Sequence, residues 1–357
     1  MSAGSNGQRP HTIITGGRIR GDTFALDDAQ RTTDVIWGDG PEVLWAAGES
    51  LMLFAPQGTC KTTLAQRLAL HRIGACGGKL LGYPVRADER PVLYLAMDRP
   101  RQAGRSLRRM VTEDDRDALH DRLVVWRGPL PIDIAKDPLA LAPWVVDEFG
   151  AGTIVVDSLK DLAVGLSKDE VGSAVNIAFQ ACTAGGIEVV TLHHPRKANA
   201  DNREPSAIDD VYGSTWLTSG AGSVVCIWGE AGDRSLSLKH LKQPEDPVGP
   251  FRIAVNHVTG QVSRVAAADA LGVVREAGVE GATPEDVAKA CRQGTADADL
   301  KWARRQLADY AKRGLIELVG GASPVPGHGG TSSRYVAPDG HGTDTPGGHY
   351  LQLLSER

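Results

Sequence analysis

The chain has 357 residues, of which 41% are hydrophobic and 23% charged, and its formal net charge is −5 at pH 7. This length favours about two domains, and the charge excludes an overall basic signature for nucleic acid. No apolar run reaches the roughly 18 residues that span a membrane, and residues 1–10 lack the apolar core of a signal peptide. The five cysteines are scattered without a Cys-x-x-Cys pair, so we expect reduced thiols, no structural zinc and a cytoplasmic location.

Residues 1–34 are polar and rich in glycine, and we expect a flexible N-terminal arm. Two short apolar segments then lead to Leu51–Phe54, a run typical of a buried strand. A loop of small residues follows, and a helical pattern of leucines begins after Lys61 and Thr62. Strand, glycine-bearing loop, Lys-Thr and helix together form the P-loop pattern, which binds polyphosphate groups.

In such a loop the backbone N–H groups and the helix N-terminus face the phosphates. We expect Lys61 to reach the β- and γ-phosphates of ATP and the Thr62 hydroxyl to coordinate Mg²⁺. Ala55 and Cys60 stand where the pattern has glycine, and a left-handed Cys60 would cost about 1–2 kcal/mol. A thiol at a helix N-terminus beside Lys61 is also expected to have a lowered pKa. The predicted nucleotide-binding residues are Ala55, Pro56, Gln57, Gly58, Thr59, Cys60, Lys61, Thr62 and Thr63.

Two later strands of the same kind carry an aspartate at their end. Residues 91–98 form an apolar run that ends at Asp98, and residues 153–159 form another that contains Asp157. Ligands bind outside the carboxyl ends of the strands in an open parallel sheet, so we expect Thr62, Asp98 and Asp157 to converge there. An apolar strand that ends in aspartate after a P-loop is the Walker B pattern, which predicts that Asp157 shares Mg²⁺ with Thr62.

Helical and strand patterns alternate through the rest of this region. The predicted helices are residues 99–110, 139–149 and 171–184, and further predicted strands are 123–126 and 187–194. Three closely spaced strands, 223–228, 235–241 and 251–255, indicate an antiparallel edge. We therefore predict an α/β fold over residues 35–262, in which a mostly parallel twisted sheet has an antiparallel edge.

A change in composition near residues 262–267 marks a second, smaller domain. Three helical patterns are followed by two strands around a loop rich in glycine and proline, and the segments are 266–277, 284–291, 297–313, 315–319 and 333–336. Three helices and a β-wing predict a winged helix-turn-helix over residues 266–337, a fold that binds duplex DNA. Residues 338–357 are expected to form a flexible tail.

The motifs also occur in an order that resembles a known family. The segments that carry the resemblance are residues 55–62, the strand ending at Asp98, 155–159, 193–197, Gly213 with Ser214, and 238–244. Over about residues 45–262 the chain resembles the RecA-superfamily AAA ATPases related to hexameric RepA- and DnaB-like helicases, in the form found in actinobacterial phages and prophages. The resemblance implies a RecA-like P-loop ATPase core that uses ATP and Mg²⁺ and assembles as a homo-oligomer, with a hexamer as the expected form.

The resemblance assigns catalytic roles to individual residues. Asp98 stands where the family has a glutamate that polarises the attacking water, and His193 or His194 matches the sensor of the γ-phosphate. Local capping of the strand end is the alternative for the two histidines. Lys242 lies near the family's basic finger, which reaches the nucleotide of the neighbouring subunit. The loops that line the central channel for single-stranded DNA in such rings correspond to residues 160–170 and 196–209.

The sequence thus predicts a Mg-ATP-dependent, DNA-acting ATPase, and its leading function is a replicative-helicase-like motor in phage or mobile-element DNA metabolism. One alternative is a nucleotide-gated DNA-binding regulator or helicase loader with weak hydrolysis, which the substitutions at Ala55, Cys60 and Asp98 favour. The other is a recombination-mediator ATPase that forms filaments without unwinding DNA. A solvated surface remains an alternative for the charges of the two channel loops.

Overall fold

The computed structural model describes residues 20–22, 33–196, 204–233, 235–265, 270–292, 297–319 and 333–338. They fall into two compact units, Met1–Val265 (the first unit) and Ala266–Arg357 (the second unit). The predicted arm, residues 1–34, and the predicted tail, residues 338–357, lie almost entirely outside the described residues. Across the described ranges, no helix has the length and apolar character needed to cross a membrane.

The described part of the first unit alternates strands and helices along the chain. Its strands are β1 (Val35–Asp39), β2 (Glu42–Ala46), β3 (Leu51–Phe54), β4 (Lys79–Leu80), β5 (Tyr83–Pro84), β6 (Val92–Ala96), β7 (Leu123–Arg127), β8 (Thr153–Asp157), β9 (Glu188–His193), β10 (Ser223–Trp228), β11 (Ser235–Lys242), β12 (Phe251–Asn256) and β13 (Gln261–Arg264). Its helices are α1 (Lys61–Arg72), α2 (Pro100–Arg108), α3 (Arg116–Arg122), α4 (Leu141–Phe149), α5 (Leu159–Leu162), α6 (Asp169–Ala184) and α7 (Trp216–Ser219).

Nine of these strands form one sheet in the order β13-β12-β11-β10-β3-β9-β8-β6-β7. Every neighbouring pair from β10 to β7 is parallel. The pairs β10–β11, β11–β12 and β12–β13 are antiparallel and form one edge. The prediction of an α/β fold with a RecA-like P-loop core, a mostly parallel sheet and an antiparallel edge is therefore confirmed.

The P-loop strand β3 lies inside this sheet, between β9 and β10. All four of its residues are buried, because helices cover both faces of a parallel sheet and leave no polar side to its central strands. On one face α1 packs Leu64 and Leu68 against the sheet, and on the other α4 and α6 contribute Val145 and Val175. Replacing either leucine by alanine would cost about 2–5 kcal/mol of stability. The strand and helix that hold the loop between them are thus firmly anchored.

Several elements of the first unit were not predicted from the sequence. The segments before β3 form an antiparallel hairpin of β1 and β2 that is separate from the large sheet, and β4 pairs with β5 in another. The predicted boundary at Val262 falls inside β13, whose pairing with β12 carries the first unit to Val265. Pairing of this kind depends on contacts between strands, which local composition does not encode.

The described part of the second unit contains three helices and a two-stranded antiparallel sheet. Its elements are α8 (Ala270–Glu276), α9 (Pro284–Arg292), α10 (Asp297–Lys312), β14 (Glu317–Val319) and β15 (Arg334–Val336). Val274, Val287 and Leu307 are fully buried and form its own apolar core. Ala282, in the connection before α9, forms a β-bridge with Tyr335 and adds a third segment to the hairpin. Predicted helix residues 266–269 lie outside the described ranges.

Candidate active site

The loop between β3 and α1 depends on a glycine at position 58. Gly58 has φ +80, and a Cβ at this position would lie 2.7 Å from the Cβ of Ala231. The N–H of Gly232 donates a hydrogen bond to the Gly58 carbonyl oxygen over 3.4 Å. Both the left-handed backbone and the close approach of the β10–β11 connection therefore require glycine here.

Cys60 has a left-handed backbone, with φ 55 and ψ 10, and caps the N-terminus of α1. The strain expected for a residue with a Cβ in this conformation, about 1–2 kcal/mol, is therefore present in the loop. The prediction of a lowered pKa at Cys60 is wrong, because burial raises the pKa of this thiol to about 12 and the nearby charge of Lys61 offsets it only in part. Its thiol is protonated and weakly nucleophilic at neutral pH.

Lys61 begins α1 and is only 8% exposed. Its Nζ donates hydrogen bonds to the carbonyl oxygen of Ala55 and to Nδ1 of His194, both over 3.3 Å. Burial lowers the pKa of Lys61 to about 8, although the carboxylate of Asp157 opposes this shift. Burial also lowers the pKa of His194 to about 4, so the ring is neutral and can accept through Nδ1.

Two hydroxyl groups hold the carboxylate of Asp157. The Thr62 hydroxyl donates to Oδ2 of Asp157 over 3.1 Å, and the Tyr94 hydroxyl donates to the same oxygen over 2.7 Å. Burial raises the pKa of Asp157, while the two hydrogen bonds and the charge of Lys61 act in the opposite direction. Sequence analysis missed Tyr94, because a tyrosine inside an apolar strand looks like a core residue. Its hydroxyl could have indicated a role in the site, because a buried tyrosine hydroxyl needs a hydrogen-bond partner.

Asp98 lies just beyond the end of β6 and forms two ion pairs. Its Oδ2 is 3.2 Å from Nζ of Lys160 and 3.5 Å from Nε of Arg99. The side chains of Asp98 and Lys160 are 41% and 40% exposed. The sequence does not assign Lys160 to this site, because Lys160 lies in the segment 160–170, which resembles a DNA-channel loop.

These side chains surround one cavity of about 480 Å³, a volume within the usual range for small-molecule sites. The predicted convergence of Thr62, Asp98 and Asp157 is observed here, together with Lys61 and His194. The remaining lining comes from the P-loop, α2, α5 and the β12–β13 turn, and includes Gln57, Gly58, Arg99, Gln102, Arg105, Ser106, Arg109, Ser158, Lys160 and His257.

Arginines from α1 and from the C-terminal end of α2 fix the β12–β13 turn beside this cavity. Arg109 donates to the His257 carbonyl oxygen over 3.0 Å and to the Thr63 hydroxyl over 3.1 Å. Arg67 donates to the carbonyl oxygens of Thr259 and Gly260 over 2.8 and 2.9 Å. These contacts hold His257, which lines the cavity, beside P-loop residues that lie nearly 200 positions earlier in the chain.

Two predicted catalytic residues lie away from the cavity. His193 is fully buried and donates from Nε2 to the Tyr212 carbonyl oxygen over 2.6 Å, because successive strand residues face opposite ways and only His194 faces Lys61. Lys242 pairs with Val224, level with the start of β3, whereas the P-loop follows the end of that strand. Its Nζ donates to the carbonyl oxygens of Thr218 and Ser219 within the same chain.

The donor atoms around Asp157 fit Mg²⁺. A carboxylate oxygen and a hydroxyl oxygen 3.1 Å apart are hard ligands of the type this ion prefers. In the described ranges no group of three or more His, Cys, Asp or Glu side chains forms a metal cage. That pattern suits an ion held by one or two protein oxygens, with water and substrate phosphates as its other ligands.

Three comparisons relate the chain to known proteins. No curated protein matches the chain. Among solved structures, a KaiC-like protein from the hyperthermophilic archaeon Pyrococcus horikoshii matches with a TM-score of 0.42 and 13% identity, over 62% of this chain and 91% of that chain. The family model described as the AAA domain matches residues 22–200, which is half of the chain. The protein therefore belongs to the AAA domain family.

Proposed function

We propose that this protein is a Mg²⁺-dependent ATPase that acts on DNA. The observation that carries the proposal is the contact between the Thr62 hydroxyl and Asp157 Oδ2, 3.1 Å long, beside the buried ammonium of Lys61. A polyphosphate at the P-loop would meet the loop amides, the N-terminus of α1 and the charge of Lys61. Thr62 and Asp157 would hold Mg²⁺, which supplies positive charge against the β- and γ-phosphate oxygens when bound.

Hydrolysis in this site would depend on positioning and charge. Asp98, in the same cavity, is the carboxylate available to orient a water molecule toward the γ-phosphorus and to accept its proton. His194 would report the γ-phosphate, because its Nδ1 already shares the ammonium of Lys61. The nucleoside would extend from the P-loop between α2 and the β12–β13 turn, where the planar side chains of Arg105 and His257 line the cavity.

Two features support action on DNA. In the second unit, the order of helix, bridging segment, two helices and hairpin supports the predicted winged helix, and α10 exposes Arg304 and Arg305. In the first unit, Val164 is 93% exposed in the connection between α5 and α6, within the segment 160–170 whose sequence resembles a channel loop of RepA- and DnaB-like rings. We propose a homo-oligomeric ring, with a helicase-like motor as its function in phage or mobile-element DNA metabolism.

The deciding experiment measures ATP turnover with and without single-stranded DNA. Strong stimulation by DNA, lost in Asp98→Asn with ATP binding retained, would support the motor. The regulator or loader with weak hydrolysis is favoured by the ion pairs of Asp98 and by the strained Cys60, and DNA-independent, very slow turnover would select it. Mass measurement with nucleotide separates a closed ring from the open filament of a recombination mediator.

A further inference from the structure

Lys160 places a second ammonium group in the cavity that contains Lys61. It lies on α5, directly after the Walker B strand, and lines the cavity together with the P-loop residues. Its charge contributes to the lowered pKa of Lys61 and to the lowered pKa of His194. The Lys160 ammonium is therefore within electrostatic reach of the two groups expected to surround a γ-phosphate.

Two carboxylates neutralise Lys160 in this structure. Asp98 Oδ2 lies 3.2 Å from its Nζ, and Asp161 Oδ1 lies 4.0 Å away. Asp161 also accepts a hydrogen bond from the Ser158 hydroxyl, which leaves Asp98 as the closer partner. The contact between Lys160 and Asp98 is open to solvent, and half-exposed ion pairs contribute little to stability. Such a pair can be exchanged for a stronger one.

The same contact would hinder hydrolysis if it persisted. The Asp98 oxygen that contacts two cations, Lys160 and Arg99, is not free to accept a hydrogen bond from an attacking water. A γ-phosphate offers Lys160 a more highly charged partner with several acceptor oxygens, and charge-assisted hydrogen bonds of this kind are strong. Lys242, level with the opposite end of β3, does not supply this charge within the same chain.

We propose that Lys160 exchanges partners: it holds Asp98 in the nucleotide-free protein and moves to the γ-phosphate of ATP, which frees Asp98 to orient the attacking water. This inference rests on the proposed ATPase function. In the step that follows, the water oxygen bonds to the γ-phosphorus as the bond from phosphorus to the bridging oxygen breaks, and that electron pair leaves with ADP. Asp98 takes the proton of the water and returns it to solvent, while Lys160 keeps its own protons.

A double-mutant cycle on binding tests the exchange without relying on turnover. We would measure the dissociation constant of a fluorescent, non-hydrolysable ATP analogue for the wild type, Asp98→Asn, Lys160→Met and the double variant. Lys160→Met should weaken binding about tenfold, since one charged phosphate contact is lost. Asp98→Asn should tighten binding, because it removes the competitor for Lys160, and the gain should shrink in the Lys160→Met background.

The sign of the coupling between the Asp98 and Lys160 substitutions distinguishes an exchange of partners from a fixed ion pair. If Lys160 were only a fixed partner that neutralises Asp98, removing the carboxylate would help binding more in the Lys160→Met background, and that result would overturn the exchange. Fluorescent ADP should show no coupling, because it lacks the γ-phosphate; equal coupling with ADP would also overturn it. Lys160→Arg keeps the positive charge, so Asp98→Asn should still tighten binding of the ATP analogue in the Lys160→Arg background.

A matched surface pair serves as the control. Lys136 forms an exposed ion pair with Asp133 over 2.9 Å, and Lys136→Met should leave the affinities for both nucleotides unchanged. A wild-type protein that does not bind the ATP analogue would refute the proposed function itself. Normal wild-type binding with the opposite sign of coupling would refute only the exchange by Lys160.

Discussion

The Nζ of Lys61 lies 3.3 Å from Nδ1 of His194 and 3.3 Å from the carbonyl oxygen of Ala55, and both acceptors are neutral. The hydrogen bonds of the buried ammonium therefore compensate its charge only in part. The negative charge of Asp157 adds an electrostatic attraction, which raises the pKa of Lys61 against the effect of burial. A buried ammonium that is only partly compensated lowers the stability of the protein, and a bound anion would remove that cost.

Lys61→Met is expected to stabilise the nucleotide-free protein while abolishing ATP binding. A pKa lowered from 10.5 to about 8 corresponds to a penalty of roughly 3 kcal/mol for the charged form, and methionine keeps most of the apolar stem. Chemical denaturation should therefore show a free energy of unfolding about 1–3 kcal/mol higher than the wild type. Titration with fluorescent ATP should show no binding, and wild-type affinity in this variant would contradict the P-loop assignment.

The lowered pKa of Lys61 also predicts a pH dependence. Between about pH 8 and pH 10.5 the folded protein binds fewer protons at this site than the unfolded chain, so this site makes stability rise with pH across that window. ATP affinity should change in the opposite direction and fall above about pH 8, because the free site loses the charge that binds phosphate. Denaturation and ATP titration over this range measure both slopes, and neither contribution should remain in Lys61→Met.

Tyr94→Phe is expected to weaken Mg²⁺ use more than ATP binding. The substitution removes a buried hydrogen bond of 2.7 Å to Asp157 and should cost about 1–2 kcal/mol of stability. Because Asp157 then loses one of the two hydroxyls that orient it, the Mg²⁺ concentration for half-maximal turnover should rise about three- to tenfold. ATP binding without Mg²⁺ should stay within about twofold of the wild type, and an unchanged Mg²⁺ dependence would leave Tyr94 with only a structural role.

Arg304→Ala combined with Arg305→Ala should weaken duplex-DNA binding at low salt. Both side chains are exposed on α10, and loss of two phosphate contacts should reduce the slope of log affinity against log salt by about 2. Lys289→Ala, at an exposed ion pair with Glu285 on α9, provides the comparison. Equal affinities for the double variant and the wild type would argue that this surface binds a protein partner or only solvent.

Fully apolar runs were the part of the fold best predicted from sequence. β10 has the predicted bounds, and β3 also matches, because a run buried on both faces is bounded by turn residues. The meeting of Thr62, Asp98 and Asp157 followed from the general rule on where parallel strands present their ligands. These features follow from the length of the apolar runs and from the order of strands and helices along the chain, and both can be read from the sequence.

Features that depend on side-chain packing were missed. Strand periodicity predicts that His193 and His194 point in opposite directions, but it does not predict which of them faces the P-loop. The sign of the pKa shift at Cys60 was wrong because burial, which is set by the tertiary structure, outweighs the helix terminus and Lys61. The contact of Lys160 with Asp98 joins residues 62 positions apart through flexible side chains.

The place of β3 inside the sheet sets the minimal folding unit of this protein. The segment that matches the AAA domain ends at residue 200, yet one of the two strands that flank β3 is β10, which begins at Ser223. A fragment cut at residue 200 would leave one side of β3 with unpaired backbone groups and would lack Ala231 against Gly58. Such an open apolar edge favours aggregation, so the smallest autonomous domain must extend through Val265.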